Sequence, residues 1–365
     1  MQINVVDPLY QTALFVTFLS FLLIISLKRD SGPHEMNISH TNELKGVAIL
    51  MVIFSHIGYF LSANQTFLYP LSVAGGVGVN IFLFLSGYGL ATSEIKSTKP
   101  VLQFYTKRLK NIFPSMWVVL VSFLLLDLLV LHKSYPLKTV ILNFLGFFPN
   151  ADIDTAINSP LWYFTLILFY YLLFPLVYRK EKYVISALIL VVVGYVFSHM
   201  KLPVTKDVLK LYQLHYLAFP LGVLFAHFYI KKPGIKIKNY LTKVFSEKWL
   251  VTFSFYALNL LLLICFGYMA INSGVGEKVW VEQLISILTV LVLVLVLLLK
   301  DVQSKLLIVL GEYSYEIYLI QWPLLYRYDY IYKEFPPFMG TLIYLVLFLA
   351  LGYMMKKTLK ALIKA

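Results

Sequence analysis

The chain has 365 residues, of which 60% are hydrophobic and only 13% charged, with mean hydropathy +0.78 and formal net charge +13. A soluble domain needs a polar skin that this composition does not supply. The single cysteine, Cys265, excludes a disulfide framework.

Apolar runs of membrane length recur from end to end, at 8–27, 44–62, 74–92, 112–131, 161–178, 183–199, 211–230, 249–271, 281–299, 306–326 and 338–355. They predict an all-α polytopic transmembrane helix bundle of about eleven spans. The chain reads as one integral membrane domain, with an extra helix and loop at 1–40 ahead of a core at 41–365. The first run lacks a basic start and a small-residue cleavage site, and Lys28-Arg29 follow it directly. It reads as an anchoring helix rather than a signal peptide. With the N-terminus outside, the loops 28–45, 93–111, 179–182, 231–248 and 300–305 and the tail 356–365 face the cytoplasm. These segments hold about three quarters of the 31 Lys and Arg, as the positive-inside rule requires. Their cations face anionic lipid or an anionic cosubstrate, so the net charge calls for no nucleic acid.

The segment 137–149 is apolar but too short to span. The stretch 133–160 is therefore expected to be one outer-face excursion with an interfacial or re-entrant piece. Its acidic NADIDTAINSP would be open to a sugar-like acceptor.

Lys45 and His56 lie eleven residues apart in NELKGVAILMVIFSHIGYF. Eleven residues make about three helical turns, so both share one face, with His56 about 16 Å deeper. An imidazole at mid-membrane is costly and suits acid–base or nucleophilic work on a hydroxyl. The competing reading is a histidine that bonds a neighbouring helix. Next, GGVGVNIFLFLSGYGL places Gly75, Gly76, Gly78, Ser86, Gly87 and Gly89 along one span. Small residues there permit close helix approach, and Ser86 is also a candidate donor to a ligand.

The run FYTKRLKNIFPSMW puts Lys107, Arg108 and Lys110 just before Pro114. Beside the start of the following span they would make a phosphate site, or ordinary positive-inside anchors. In SPLWYFTLILFYYLLFPLVY, Trp162 opens a helix with Tyr163 beside it. Aromatic platforms take sugar rings, although anchoring at the interface is the commoner role. GEYSYEIYLIQWPLLYR sets Glu312 and Glu316 four residues apart, on one face of an expected helix, with Tyr315, Tyr318 and Gln321 near. Carboxylates inside a membrane face a cavity or a partner rather than lipid. No metal-ligand spacing is present in the sequence.

These blocks, in this order, make the chain similar to the membrane acyltransferase-3 family of integral membrane O-acyltransferases, from about residue 43 to 326. The carriers are the basic-x10-His pattern, F-x-x-SGY, the basic run ending in I-F-P, LWY…YLLFP and GxYSYxIYLxxWP. The resemblance implies transfer of an acyl group, acetyl foremost, from cytoplasmic acyl-CoA to a hydroxyl of an extracytoplasmic glycan or lipid-linked sugar. It implies no bound cofactor and a multi-pass protein of a bacterial cell membrane. His56 corresponds to the catalytic histidine, Lys45 to the arginine of that helix, and Arg108 to the first arginine of an R-x-x-R element that meets donor phosphates. Asn111 replaces the second arginine, with Lys110 beside it. Ile167 and Leu168 stand where many members carry an acidic pair, which points to the standalone form without a soluble esterase-like domain. Gln321 stands where a second histidine is frequent. A transporter or flippase of lipid-linked glycan or small solute is the alternative, but it predicts internal symmetry that the sequence lacks.

Overall fold

The computed structural model describes residues 2–29, 36–63, 65–98, 100–202, 205, 208–229, 247–274, 278–300 and 302–364. The cations expected in the loop at 231–248 lie almost wholly outside these. Among the described residues, nine helices are long and apolar enough to cross a membrane. The remaining two expected spans are each a pair of shorter helices in series. Leu209–His215 is followed by Ala218–Tyr229, and Lys305–Glu312 by Ser314–Tyr326. The first break has a clear cause. Pro220 has no N–H to give the carbonyl of Tyr216, and the Tyr170 hydroxyl takes that carbonyl instead at 2.6 Å. The segment after residue 136 forms only the eight-residue helix Leu137–Phe144, about 12 Å long.

The chain forms two units. One comprises Gln2–Thr92 and Leu217–Glu312. At its centre the helix Ile38–Ser55 is approached on two sides through glycine. A side chain on Gly46 would overlap the carbonyl of Leu307, and one on Gly311 would overlap the carbonyl of Asn42. Here Lys305–Glu312 lies backbone to backbone with Ile38–Ser55. On the other side the helix Gly75–Lys96 brings Gly75 against the Ser55 side chain and Gly78 against the carbonyl of Ala48. The same helix meets Ala218–Tyr229 at Gly87 and Gly222, each against a backbone carbonyl. It is tied to Val279–Leu299 by Asn80, whose Nδ2 donates to Ser286 Oγ at 2.7 Å. Close approach of this kind is what the small-residue pattern predicts. Gly89 is the exception, with nothing within 4 Å of the position a Cβ would take.

The all-α expectation holds, with two three-residue strands among the helices. Leu27–Arg29 and Val302–Ser304 pair antiparallel, with Lys28 opposite Gln303. The first helix, Pro8–Ile25, buries Thr12, Phe15 and Leu19. Phe15 meets Phe54 edge-on at 5.2 Å, and Thr12 Oγ1 accepts the N–H of Leu68.

The other unit comprises Ser93–Tyr216 and Tyr313–Ala365. Its long helix Val101–Val130 carries Pro114 inside it and packs against Trp162–Val177, Ser314–Tyr326 and Pro337–Lys364. Tyr315 donates its hydroxyl to the carbonyl of Ile112 at 2.7 Å, and Trp117 Nε1 to that of Phe144 at 2.8 Å.

Gly46→Ala or Gly311→Ala should destabilise the protein by about 1–3 kcal/mol or more, because the obstructing atoms are backbone. Gly89→Ala should leave it unchanged. Thermal unfolding in detergent compares the three, and equal melting temperatures would contradict the packing described.

Candidate active site

The histidine helix begins under an Asn37 cap, whose Oδ1 accepts the N–H of His40 at 3.0 Å. From Lys45 to His56 the backbone is helical without interruption, so the expected shared face is present, and both side chains are half-buried. At His56 the helix widens into a π-helical turn, His56–Leu61. The N–H of Ser62 reaches back five residues to the carbonyl of Ile57 at 3.0 Å. Such turns are uncommon and concentrate at functional sites, because they re-aim side chains relative to the α-helical path. The imidazole stands edge-on to Phe60, ring centres 6.1 Å apart at 62°. Gly75 against Ser55 sets the backbone of the glycine helix beside the residue preceding the histidine. Ser86 is half-buried on that helix, about 16 Å further along it.

At the other end of the histidine helix, Lys45 Nζ donates to Asn42 Oδ1 at 3.4 Å. Next to it lies a residue that sequence reasoning missed. Glu43 is 1% exposed, is paired with Lys300 at 2.5 Å and accepts the N–H of Ser304 at 2.8 Å. Gln303 joins the same cluster, accepting from Ser39 at 2.8 Å and lying 3.3 Å from His40 Nε2. The signal was a carboxylate at the head of a membrane-length run, whose partner is 257 residues away.

The second unit holds the remaining candidates except Glu312, which closes the last segment of the histidine unit. Lys107 and Lys110 are exposed and Arg108 is half-buried. The Arg108 guanidinium lies over the rings of Phe104 and Tyr171, 5.7 and 5.5 Å from their centres. The cations do not flank a helix N-terminus, as the sequence reading expected. The helix starts at Val101, so they sit in its second and third turns, and Pro114 lies within it. Any anion they hold is held by side chains and not by free backbone N–H groups. Trp162 opens its helix as expected, following a 3-10 turn at Ser159–Leu161. Its indole, half-buried, is stacked on His215 at 5.4 Å and 22°. His215, only 4% exposed, is a second histidine that sequence reasoning did not single out, since it comes from a helix far along the chain. Tyr163 meets Tyr318 edge-on at 5.6 Å, and Tyr318 donates its hydroxyl to the carbonyl of Pro160.

The expected pairing of Glu312 with Glu316 on one helix face is overturned. Tyr313 interrupts the helix between them, so Glu312 ends one helix and is exposed, whereas Glu316 lies in the first turn of the next and is buried. Four residues bring side chains together only along a continuous helix. Gln321 is fully buried and Tyr315 half-buried in the same second helix.

Among the described residues, nine helices of membrane length define a multi-pass membrane protein, and one of them carries His56. The acyltransferase-3 family model, described as an acyltransferase domain, matches residues 42–357, and the chain belongs to this family of O-acyltransferases. It is similar to an O-acetyl transferase of Shigella phage Sf6, 27% identical over 273 residues, covering 67% of this chain and 79% of that protein. It is also similar to the acyltransferase MdmB of Streptomyces mycarofaciens, 27% identical over 164 residues, 41% of each chain. No solved structure matches the chain at a significant level.

The helix break separates the two carboxylates in stability. Glu312→Ala should change thermal stability by no more than about 0.5 kcal/mol, as for an exposed site. Glu316→Ala should cost about 1–3 kcal/mol by removing a buried hydrogen-bonding group. Equal effects in detergent melting would restore the single-helix reading.

Proposed function

We propose that the protein moves an acyl group, acetyl in the simplest case, from cytoplasmic acyl-CoA to a hydroxyl of an extracytoplasmic glycan or lipid-linked sugar. It would do so in a bacterial plasma membrane, with the N-terminus outside and the C-terminus in the cytoplasm. The observation that carries this reading is the half-buried His56 at the start of a π-helical turn within a membrane-length helix, eleven residues beyond Lys45. No resident cofactor or metal is called for. Acyl-CoA is a cosubstrate.

His56 supplies the chemistry in either of two ways. As a general base it takes the acceptor's hydroxyl proton while the oxygen attacks the thioester carbonyl. The carbon–sulfur bond breaks, and the leaving thiolate receives the proton as free CoA. As a nucleophile it first takes the acyl group, releasing CoA, and the acceptor oxygen then removes it. Lys107, Arg108 and Lys110, with Lys45, are assigned to the anionic donor. The Arg108 guanidinium lies over two rings, and a planar guanidinium is the group best suited to bond a phosphate through paired N–H groups. Trp162 and Tyr163 are assigned to the acceptor, where an indole face and a phenol suit a sugar ring. Ser86, Glu312, Tyr315, Glu316 and Gln321 take supporting roles.

His56→Ala should remain in the membrane and lose acyl transfer by at least about a thousandfold, a scale expected of an essential acid–base or nucleophilic group. Mass spectrometry of surface glycans, with and without the variant, reads the loss. Undiminished acylation by well-expressed protein would refute the role. Arg108→Ala combined with Lys110→Ala should weaken acetyl-CoA binding by about tenfold or more, measured on purified protein in detergent. A burst of free CoA in the absence of acceptor would select the covalent route.

A further inference from the structure

Arg327 lies one residue past the helix Ser314–Tyr326 and is bonded in three directions. Its Nη1 donates to Asp127 Oδ2 at 2.6 Å and to the Tyr135 hydroxyl, and its Nη2 donates to the carbonyl of Ile157 at 2.5 Å. Asp127 is fully buried near the end of Val101–Val130. Its Oδ1 accepts from the Tyr328 hydroxyl and its Oδ2 from that of Tyr135, both at 2.6 Å. A buried ion pair is a poor source of stability beside an apolar pair of the same volume, and its use is to fix geometry. The geometry fixed here is that of Ile157, and the anchoring continues from it. Asn158 Nδ2 donates to the carbonyl of Leu319 at 2.8 Å, Ser159 Oγ to that of Ala151, and Tyr318 to that of Pro160. The next turn presents Trp162 and Tyr163.

We propose that Asp127 and Arg327 are positioning residues for acceptor recognition, holding the corner at 157–161 so that Trp162 and Tyr163 meet the acceptor sugar in one fixed arrangement. The inference rests on the acyl-transfer reading above and assigns the acceptor step to this end of the unit. Arg108 is nineteen residues before Asp127 on the same helix, about 28 Å away along its axis. That is close to the thickness of a bilayer's hydrocarbon core. Disturbing the ion pair should therefore spare the donor.

The test compares Arg327→Lys, which keeps the charge but not the planar fork, with the apolar pair Asp127→Leu/Arg327→Met, which restores packing without the hydrogen bonds. Tyr135→Phe is the milder variant, removing one hydroxyl and leaving the ion pair in place. Three quantities are read: melting temperature in detergent, acetyl-CoA affinity and CoA release by purified protein, and acetylation of surface glycans in cells. The expected result is donor affinity and CoA release without acceptor within about twofold of the parent, with acetylation reduced about tenfold or more. For Tyr135→Phe the loss should be about two- to fivefold. The apolar pair should match the parent's melting temperature and still fail in transfer, which a purely structural role would not produce. Normal acetylation by a folded variant, or parallel loss of donor affinity, overturns the proposal and leaves the acyl-transfer reading standing. A parent protein that releases no CoA from acetyl-CoA and acetylates nothing overturns both.

Discussion

Backbone contact at glycine is the constraint on which the histidine unit depends. Within hydrocarbon, water supplies no drive to bring apolar helices together, so association rests on van der Waals fit and hydrogen bonds. At Gly46, Gly311, Gly75 and Gly78 the neighbouring chain occupies the space of the missing side chain. The histidine helix is thereby gripped at both ends: beside Lys45 by Lys305–Glu312, and beside His56 by Gly75–Lys96. A helix held this closely cannot roll, and the face shared by Lys45 and His56 keeps its direction. The π-helical turn then alters the path of the chain just where the imidazole emerges.

Each unit also contains a buried ion pair near a helix end, Glu43 with Lys300 and Asp127 with Arg327. Both carboxylates accept hydrogen bonds from other groups as well, as buried charges require. Neither pair contributes to the apolar fit. What each does is tie residues hundreds of positions apart to a single register, a task for which directional bonds are better suited than methyl groups.

Much of this was legible in the sequence because hydropathy and helical spacing report it directly. The membrane-length helices, the common face of Lys45 and His56, the small-residue helix and the start of a helix at Trp162 all follow from local pattern. The break at Tyr216 was signalled by Pro220, which a hydropathy window does not weigh. The break at Tyr313 does not follow, since apolar composition continues across it and such a window sees only composition. The Glu312 and Glu316 pairing failed for that reason. The helix start at Val101 was missed because its first turns, VLQFYTKRLK, are amphipathic and not apolar. His215 against Trp162, and Lys300 on Glu43, depend on contacts between distant segments, and no spacing rule encodes them.

The family match begins at residue 42, after the helix Pro8–Ile25. That helix offers a narrow inner stripe of Thr12, Phe15 and Leu19 and turns its remaining circumference outward. The ring it covers is Phe54, met edge-on by Phe15. The helix is nonetheless wired to what lies beneath it: without Thr12 the N–H of Leu68 would be a buried donor in need of another acceptor, so this flank carries a hydrogen-bonding duty as well as an apolar one.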